Sequence, residues 1–325
     1  MLNGYAVEDG RLVPLPAPLE APERVIWYDL FTPTREEEQA IERVVGVEVP
    51  TPDEMHEIED SSRLYSESGA FFMTANLPSQ VETEAPLLAP VTFILAGSRL
   101  VTLRYHEPRS FRTFTGRAER ADLGCTDGAT AMLGLLEVVV DRMADILERI
   151  GREIELLSRA IFRRSPQRTE GAGGTDYQIV LQGLGRQGDL VANVIDSLVT
   201  LERLIVFLSA VVTQKPLSKD GKLRLKSLGR DTRFLNEHAN ALAAKLTFLL
   251  DATLGMISIE QNAIIKIFSV AAVIFLPPTL VASIYGMNFA VMPELHWLFG
   301  YPFALGLMVA SAVVSYWLFK SRGWL

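Results

Sequence analysis

Two stretches near the C-terminus of this chain break with the pattern before them. Between Lys266 and Gly286 about nineteen residues, opening Ile267-Phe268-Ser269-Val270, carry no charge. A second uncharged run of nearly equal length extends from Tyr301 to Phe319 and ends in Lys320-Ser321-Arg322. At about 1.5 Å per residue, either run as a helix crosses a hydrocarbon core of about 30 Å. The pattern predicts spans at 267–285 and 301–319, joined by a turn over 286–300. It reads as a membrane protein.

Upstream, the periods are those of a soluble lobe. The first twenty residues are Pro-rich and read as loose. Val25 to Asp29 and Ala70 to Thr74 read as strands, and Val91–Ala96 with Arg99–Tyr105 as a hairpin whose Gly97-Ser98 suits a type II′ turn. Thr34 followed by Glu37 is a capping box for a helix through Arg43; Thr51-Pro52-Asp53-Glu54 repeats the device with proline at the first helical position. Residues 1–125 are therefore expected to form an α+β lobe around a small mixed sheet.

From Ala129 the period becomes helical. Met132, Leu135, Leu136, Val139, Met143, Ile146 and Ile150 recur at steps of three and four, an amphipathic helix of nearly forty residues ended by Pro166 and the Gly171–Gly174 cluster. A second helix is expected from about Asp176 to Val212, closed by Lys215-Pro216. A third runs from Arg230 without a breaker to Pro277 and on to Tyr285, about 80 Å of helix. A helix of that length leans on neighbours, and copies of itself around an axis are the simplest ones. Residues 126–263 thus read as long stalk helices and 264–325 as the membrane part.

Charge fixes the orientation. The 325 residues carry a net charge of −8, but from Ile264 onward Lys266, Lys320 and Arg322 stand against Glu294 alone, leaving −10 on the rest. Basic residues flank the spans on the side of both termini, which the positive-inside rule places in the cytoplasm. The acidic body speaks against a nucleic-acid partner. The single cysteine, Cys125, permits no intrachain disulfide and fits a reducing compartment.

The turn carries a recognisable signature. Tyr285-Gly286-Met287-Asn288-Phe289, then Met292-Pro293-Glu294-Leu295, Trp297 and Gly300-Tyr301-Pro302, resembles the CorA-type magnesium channel family. Ile259-Glu260-Gln261-Asn262 and the terminal Arg322-Gly323-Trp324-Leu325 are similar to that family too. The zinc-transporting branch carries another pattern at the triplet, so an intact Gly-Met-Asn favours magnesium. The resemblance implies a homopentameric funnel in a bacterial-type inner membrane, with Gly286, Met287 and Asn288 as selectivity filter, passing Mg²⁺ and also Co²⁺ or Ni²⁺.

Physical chemistry supports such a path independently. Two spans cannot enclose water, so transport requires several copies. Counting back from Asn288 by helical steps places Ser283, Thr279, Leu276, Ala272, Phe268, Ile265, Asn262, Ser258 and Asp251 on roughly one face. The bland alternative is an ordinary packing seam, yet the polar members would be costly against lipid. A wet pore with an apolar neck at Leu276, Ala272, Phe268 and Ile265 accommodates both kinds, and such necks gate by dewetting. Mg²⁺ dehydrates reluctantly, so a ring of Asn288 amide oxygens and Gly286 carbonyls can recognise the hydrated ion through its waters. Glu294 at the mouth would concentrate cations. Pro277-Pro278 frees carbonyls inside a span and is either a hinge lining the axis or a tolerated kink.

Regulation by internal Mg²⁺ follows from the charge, since acidic bodies brought together repel unless cations sit between them. Asp251, Asp231, Glu237 and Asp53 are the candidate carboxylates, with Glu57 and Asp60 as possible partners. A solvated surface acid is the alternative for each. Gly183-Leu184-Gly185-Arg186-Gln187-Gly188 matches a dinucleotide fingerprint as a string but lies inside helical pattern, and no Walker-type loop exists, so neither an organic cofactor nor an enzyme is expected. The four histidines show no ligand spacing. A zinc or efflux transporter of the same fold and a membrane-anchored sensor are the competing readings.

Overall fold

The computed structural model describes residues 1–83, 85–162, 177–214, 217–287, 292 and 296–322. The chain divides into two units, Met1–Leu250 and Asp251–Leu325.

The first unit opens with a departure from expectation. The residues read as loose form a hairpin, β1 (Leu2–Glu8) with β2 (Arg11–Leu15). Its turn, Asp9-Gly10, has positive φ at both positions (49° and 76°), the requirement of a type I′ turn. Prolines had argued against a strand, but Pro14 lies on β2, which is the edge of the sheet. An edge strand tolerates a residue without an N–H.

β3 (Val25–Phe31), β4 (Leu64–Glu67), β5 (Ala70–Ser79), β6 (Leu87–Ala96) and β7 (Arg99–Arg104) complete a seven-stranded sheet in the order β2-β1-β3-β7-β6-β5-β4. It is larger than the small sheet the pattern suggested. Every neighbouring pair is antiparallel except β3 and β7, which run parallel from Trp27 opposite Leu100 to Phe31 opposite Arg104. The β6–β7 turn has positive φ at Gly97 alone (62°), as a type II′ turn requires.

Strand alternation sends two apolar sets to opposite faces. On one face Tyr28, Leu30, Phe72, Ile94, Val101 and Leu103 pack with Ile41 of α1 (Arg35–Val45) and Met55 of α2 (Pro52–His56). Both capping boxes form as expected: the Thr34 Oγ1 accepts from the Glu37 N–H at 3.3 Å, and the Thr51 Oγ1 from the Glu54 N–H at 3.4 Å. A short α3 (Asp60–Arg63) leads into β4. The opposite face is covered by α4 (Arg109–Ala118), α5 (Gly128–Phe162) and α6 (Tyr177–Gln214). Gly128 sets the approach of α5, because a Cβ there would lie 2.3 Å from the backbone of Arg99 and Leu100.

Helix α7 runs unbroken from Lys219 to Tyr285, eleven residues earlier in its start than Arg230, and continues through Pro277 and Pro278. The N-terminal extension is amphipathic, with Leu225 and Leu228 buried, and Arg224 paired to Glu137 of α5 at 2.7 Å. Helix α8 (Gly300–Ser321) follows. The boundaries expected at Pro166, the Gly171–Gly174 cluster and Lys215-Pro216 lie outside the described residues.

On the second face, where β3 and β7 run side by side, Arg104 donates from Nε and Nη2 to the two oxygens of Asp29 at 3.0 and 2.9 Å. Both side chains are buried, and the guanidinium lies over the rings of Phe31 and Phe111. Removing one partner strands the other charge in the core, a loss of about 3–5 kcal/mol. Asp29→Ala should therefore lower the unfolding midpoint strongly, while Asp29→Ala combined with Arg104→Met should recover part of the loss. Thermal unfolding of the detergent-solubilised chain measures both; equal midpoints for the single and double variants would contradict it.

Candidate ion-conduction site

The site is built on the C-terminal part of α7, from Asp251 to the end of the helix. Over residues 270–285 its covered positions form one stripe: Val270 is buried, and Ala271, Ile274, Pro277, Pro278, Val281 and Tyr285 are half-buried. At about 100° per residue these fall together on one side. Ile265, Phe268, Ala272, Leu276, Thr279 and Ser283 fall on the other, and all six are exposed in the single chain. Phe268 and Leu276 are 72% and 71% exposed, against 4% for Val270. The expected axial face is thus exposed in the single chain, as are Ile267, Val273 and Leu280 off that face. Phe275, which is not a member of the expected face, is also 69% exposed, so single-chain burial does not separate it from Leu276.

The helix passes both prolines, and the Thr279 hydroxyl donates to the Phe275 carbonyl at 2.7 Å. Back-bonding of this kind and proline are each recognised causes of helix bending. At the end of α7 the Gly286 N–H donates to the Ala282 carbonyl at 2.9 Å, and the Met287 N–H to the Ile284 carbonyl at 3.2 Å. A Cβ on Gly286 would stand 3.1 Å from the Ala282 oxygen, tighter than ordinary contact. Met287 is exposed; Asn288 and Glu294 lie outside the described residues.

An aromatic framing escaped the reading of the sequence. The Trp297 and Phe303 rings lie tilted 5.7 Å apart by the start of α8, where Tyr301 also falls, while Tyr316, with Lys320 over its ring, and Trp317 fall near its end. Tyr301 and Tyr316 are about 22 Å apart along the helix axis. Amphipathic rings at both ends of an apolar helix match the two interfaces of a bilayer. Their spacing within the run was the available signal.

The candidate regulatory carboxylates are not assembled within one chain. Asp231 pairs with Arg230 at 3.6 Å and accepts from Ser227 at 3.2 Å; Glu237, Asp251 and Asp53 are exposed. Among the described residues no three His, Cys, Asp or Glu side chains gather to hold a metal ion. The glycine string at 183–188 is helical, within α6. Cys125 is buried, and burial pushes its thiol up to about 11.

Two helices with apolar stretches of membrane length, α7 ending just before a Gly-Met pair, are those of an integral membrane protein. The family model of the CorA-like Mg²⁺ transporter protein matches residues 22–321, and the chain belongs to that family. It is a family of transporters, not enzymes. The magnesium transport protein CorA of Pasteurella multocida is 37% identical over 326 residues, covering 100% of both chains. That of Escherichia coli is 34% identical over 327 residues with the same coverage. The fold matches the complete structure of the CorA magnesium transporter from Methanocaldococcus jannaschii at a TM-score of 0.76, with 18% identity over 100% of this chain and 99% of that one.

The exposed and covered faces of α7 make a direct prediction. A cysteine introduced by Thr279→Cys should react with a water-soluble maleimide, and one introduced by Val270→Cys should not. The wild-type chain should stay unlabelled until unfolded, because Cys125 is buried and protonated at pH 8. Mass spectrometry of labelled, detergent-solubilised protein reads all three.

Proposed function

We propose that this chain assembles as a homopentameric channel that carries Mg²⁺, and also Co²⁺ or Ni²⁺, inward across the membrane, with both termini in the cytoplasm. The observation that carries this reading is end-to-end likeness, at 37% identity, to a relative named as a magnesium transport protein. In this reading residues 1–125 form the cytoplasmic lobe, 126–263 the stalk and 264–325 the membrane part. The open face of α7 lines the axis, Ile265, Phe268, Ala272 and Leu276 form the apolar neck, and Thr279 and Ser283 the wetter path above it.

Gly286, Met287 and Asn288 form the filter. A hydrated Mg²⁺ is held by amide and carbonyl oxygens that accept from its coordinated waters, so no ligand exchange on the metal is needed. Neutral acceptors bind weakly enough to release the ion. Glu294, repeated around the mouth, raises the local cation concentration without choosing among cations. Internal Mg²⁺ bound between subunits at carboxylates such as Asp231, Glu237, Asp251 and Asp53 favours a compact closed state, by its differential affinity for that state.

Asn288→Ala should abolish divalent uptake while leaving assembly intact, and Gly286→Ala should impair it through the crowding at Ala282. Near-normal ²⁸Mg²⁺ or Co²⁺ uptake by well-assembled Asn288→Ala protein would sink the filter assignment; Zn²⁺ outcompeting Mg²⁺ would move the chain to the zinc reading. For the neck, Leu276→Ser should raise leak current and Phe275→Ser should mainly reduce stability. The reverse pattern would shift the axial face by one residue.

A further inference from the structure

The turn between β5 and β6 holds an arrangement that ion conduction does not use. Three guanidinium groups converge on a single carboxylate oxygen, Glu82 Oε1: Arg142 at 2.6 Å, Arg109 at 3.0 Å and Arg149 at 3.9 Å. One acceptor oxygen thus serves donors drawn from α4 and from two turns of α5. The cleft beside it, about 150 Å³ in volume, is also lined by Arg112, Glu107 and Ser79. In a chain of net charge −8, a cleft that three arginines line against two carboxylates among the described residues is a local reversal of sign.

Two independent features mark the cleft as more than an ion-pair staple. Helix α4 starts here at Pro108 with no side-chain cap and no acidic residue in its first turn, so its positive dipole end is unanswered by a capping side chain. Ser79, 97% buried by its 3% exposure, has a hydroxyl with no hydrogen-bond partner. A buried unpaired hydroxyl costs about 1–3 kcal/mol, so such groups are normally satisfied.

We propose that this cleft binds a phosphate group, held by Arg109, Arg112 and Arg142, the Ser79 hydroxyl and the start of α4, with Glu82 as the internal carboxylate it displaces. A phosphate offers several oxygens to planar guanidinium forks where Glu82 offers one. The volume admits the phosphate itself, so the rest of any larger ligand stays outside. Free inorganic phosphate and the terminal phosphate of a nucleotide share this chemistry. The cleft shares no residue with the proposed conduction path, and its chemistry does not depend on which cation is carried.

The test is thermal unfolding of the full-length, detergent-solubilised chain in EDTA, titrated with inorganic phosphate or with ATP against chloride at matched ionic strength. Wild type should show a saturable rise in midpoint with phosphate that chloride does not give. Ser79→Ala, which removes an unpaired hydroxyl, should fold at least as well without ligand but bind about tenfold more weakly, and Arg112→Gln should do the same. Glu82→Gln should bind more tightly, since the competing carboxylate is gone. A half-saturating ATP concentration far below that of phosphate assigns the nucleotide as source, and comparable values assign free phosphate. A wild-type response equal to that in chloride overturns the proposal, as does an unchanged phosphate response in Ser79→Ala.

Discussion

The first unit depends on one buried ion pair. The sheet is two antiparallel ribbons, β2-β1-β3 and β7-β6-β5-β4, and their only seam is the parallel pairing of β3 with β7. Parallel pairs are slightly weaker per residue than antiparallel ones. Here the seam is reinforced by side chains: Asp29 takes two bonds from Arg104 and one from the Thr102 hydroxyl at 2.9 Å, and that hydroxyl also accepts from the Trp27 indole at 3.0 Å. Arg104 further donates to the His106 carbonyl at 3.0 Å, which fixes the chain as it leaves β7 for α4. The His106 ring, in turn, lies 2.9 Å from the Leu77 carbonyl on β5. Burial holds the His106 pKa below its ordinary value, so this link is made by the neutral ring. The register of the sheet, the entry to α4 and the end of β5 are therefore set by one connected polar network in an apolar surround.

That network explains what could and could not be read from the residues. Local chemistry was legible: Thr34 with Glu37, Thr51 with Glu54, and Gly97-Ser98 each act within four residues, and the structure holds all three features as expected. The helical period after Ala129 and the two uncharged runs were legible for the same reason. The Asp29–Arg104 pair joins residues 75 apart, and Glu82 meets Arg142 across 60, separations at which no pattern in the chain announces a partner. The N-terminal hairpin was missed because proline content outweighed the Asp9-Gly10 turn signal. Where a proline falls in a sheet matters more than how many there are.

The site divides similarly. The face of α7 proposed to line the axis was read from helical steps alone, because such a face is a property of one element. The reading of Gly286-Met287-Asn288 as a filter rests instead on likeness to a family, since three residues have no period to read. The aromatic rings at the two ends of α8 were within reach of spacing arguments but were outweighed by the signature around them.

The two ends of the sheet have a consequence for how copies of this chain can meet. β2 is interrupted by Pro14, and β4 is four residues long and ends in a carboxylate at Glu67. Neither offers a run of free N–H and C=O groups long enough to template another strand, which is how natural sheets avoid joining edge to edge. The exposed apolar side chains Val206 on α6 and Phe234 and Phe248 on α7 lie on helical surfaces instead of at these edges. Side-chain interdigitation tolerates small rotations that a hydrogen-bonded ladder would not. A body whose subunits are joined in that way can shift and reseat without unzipping anything.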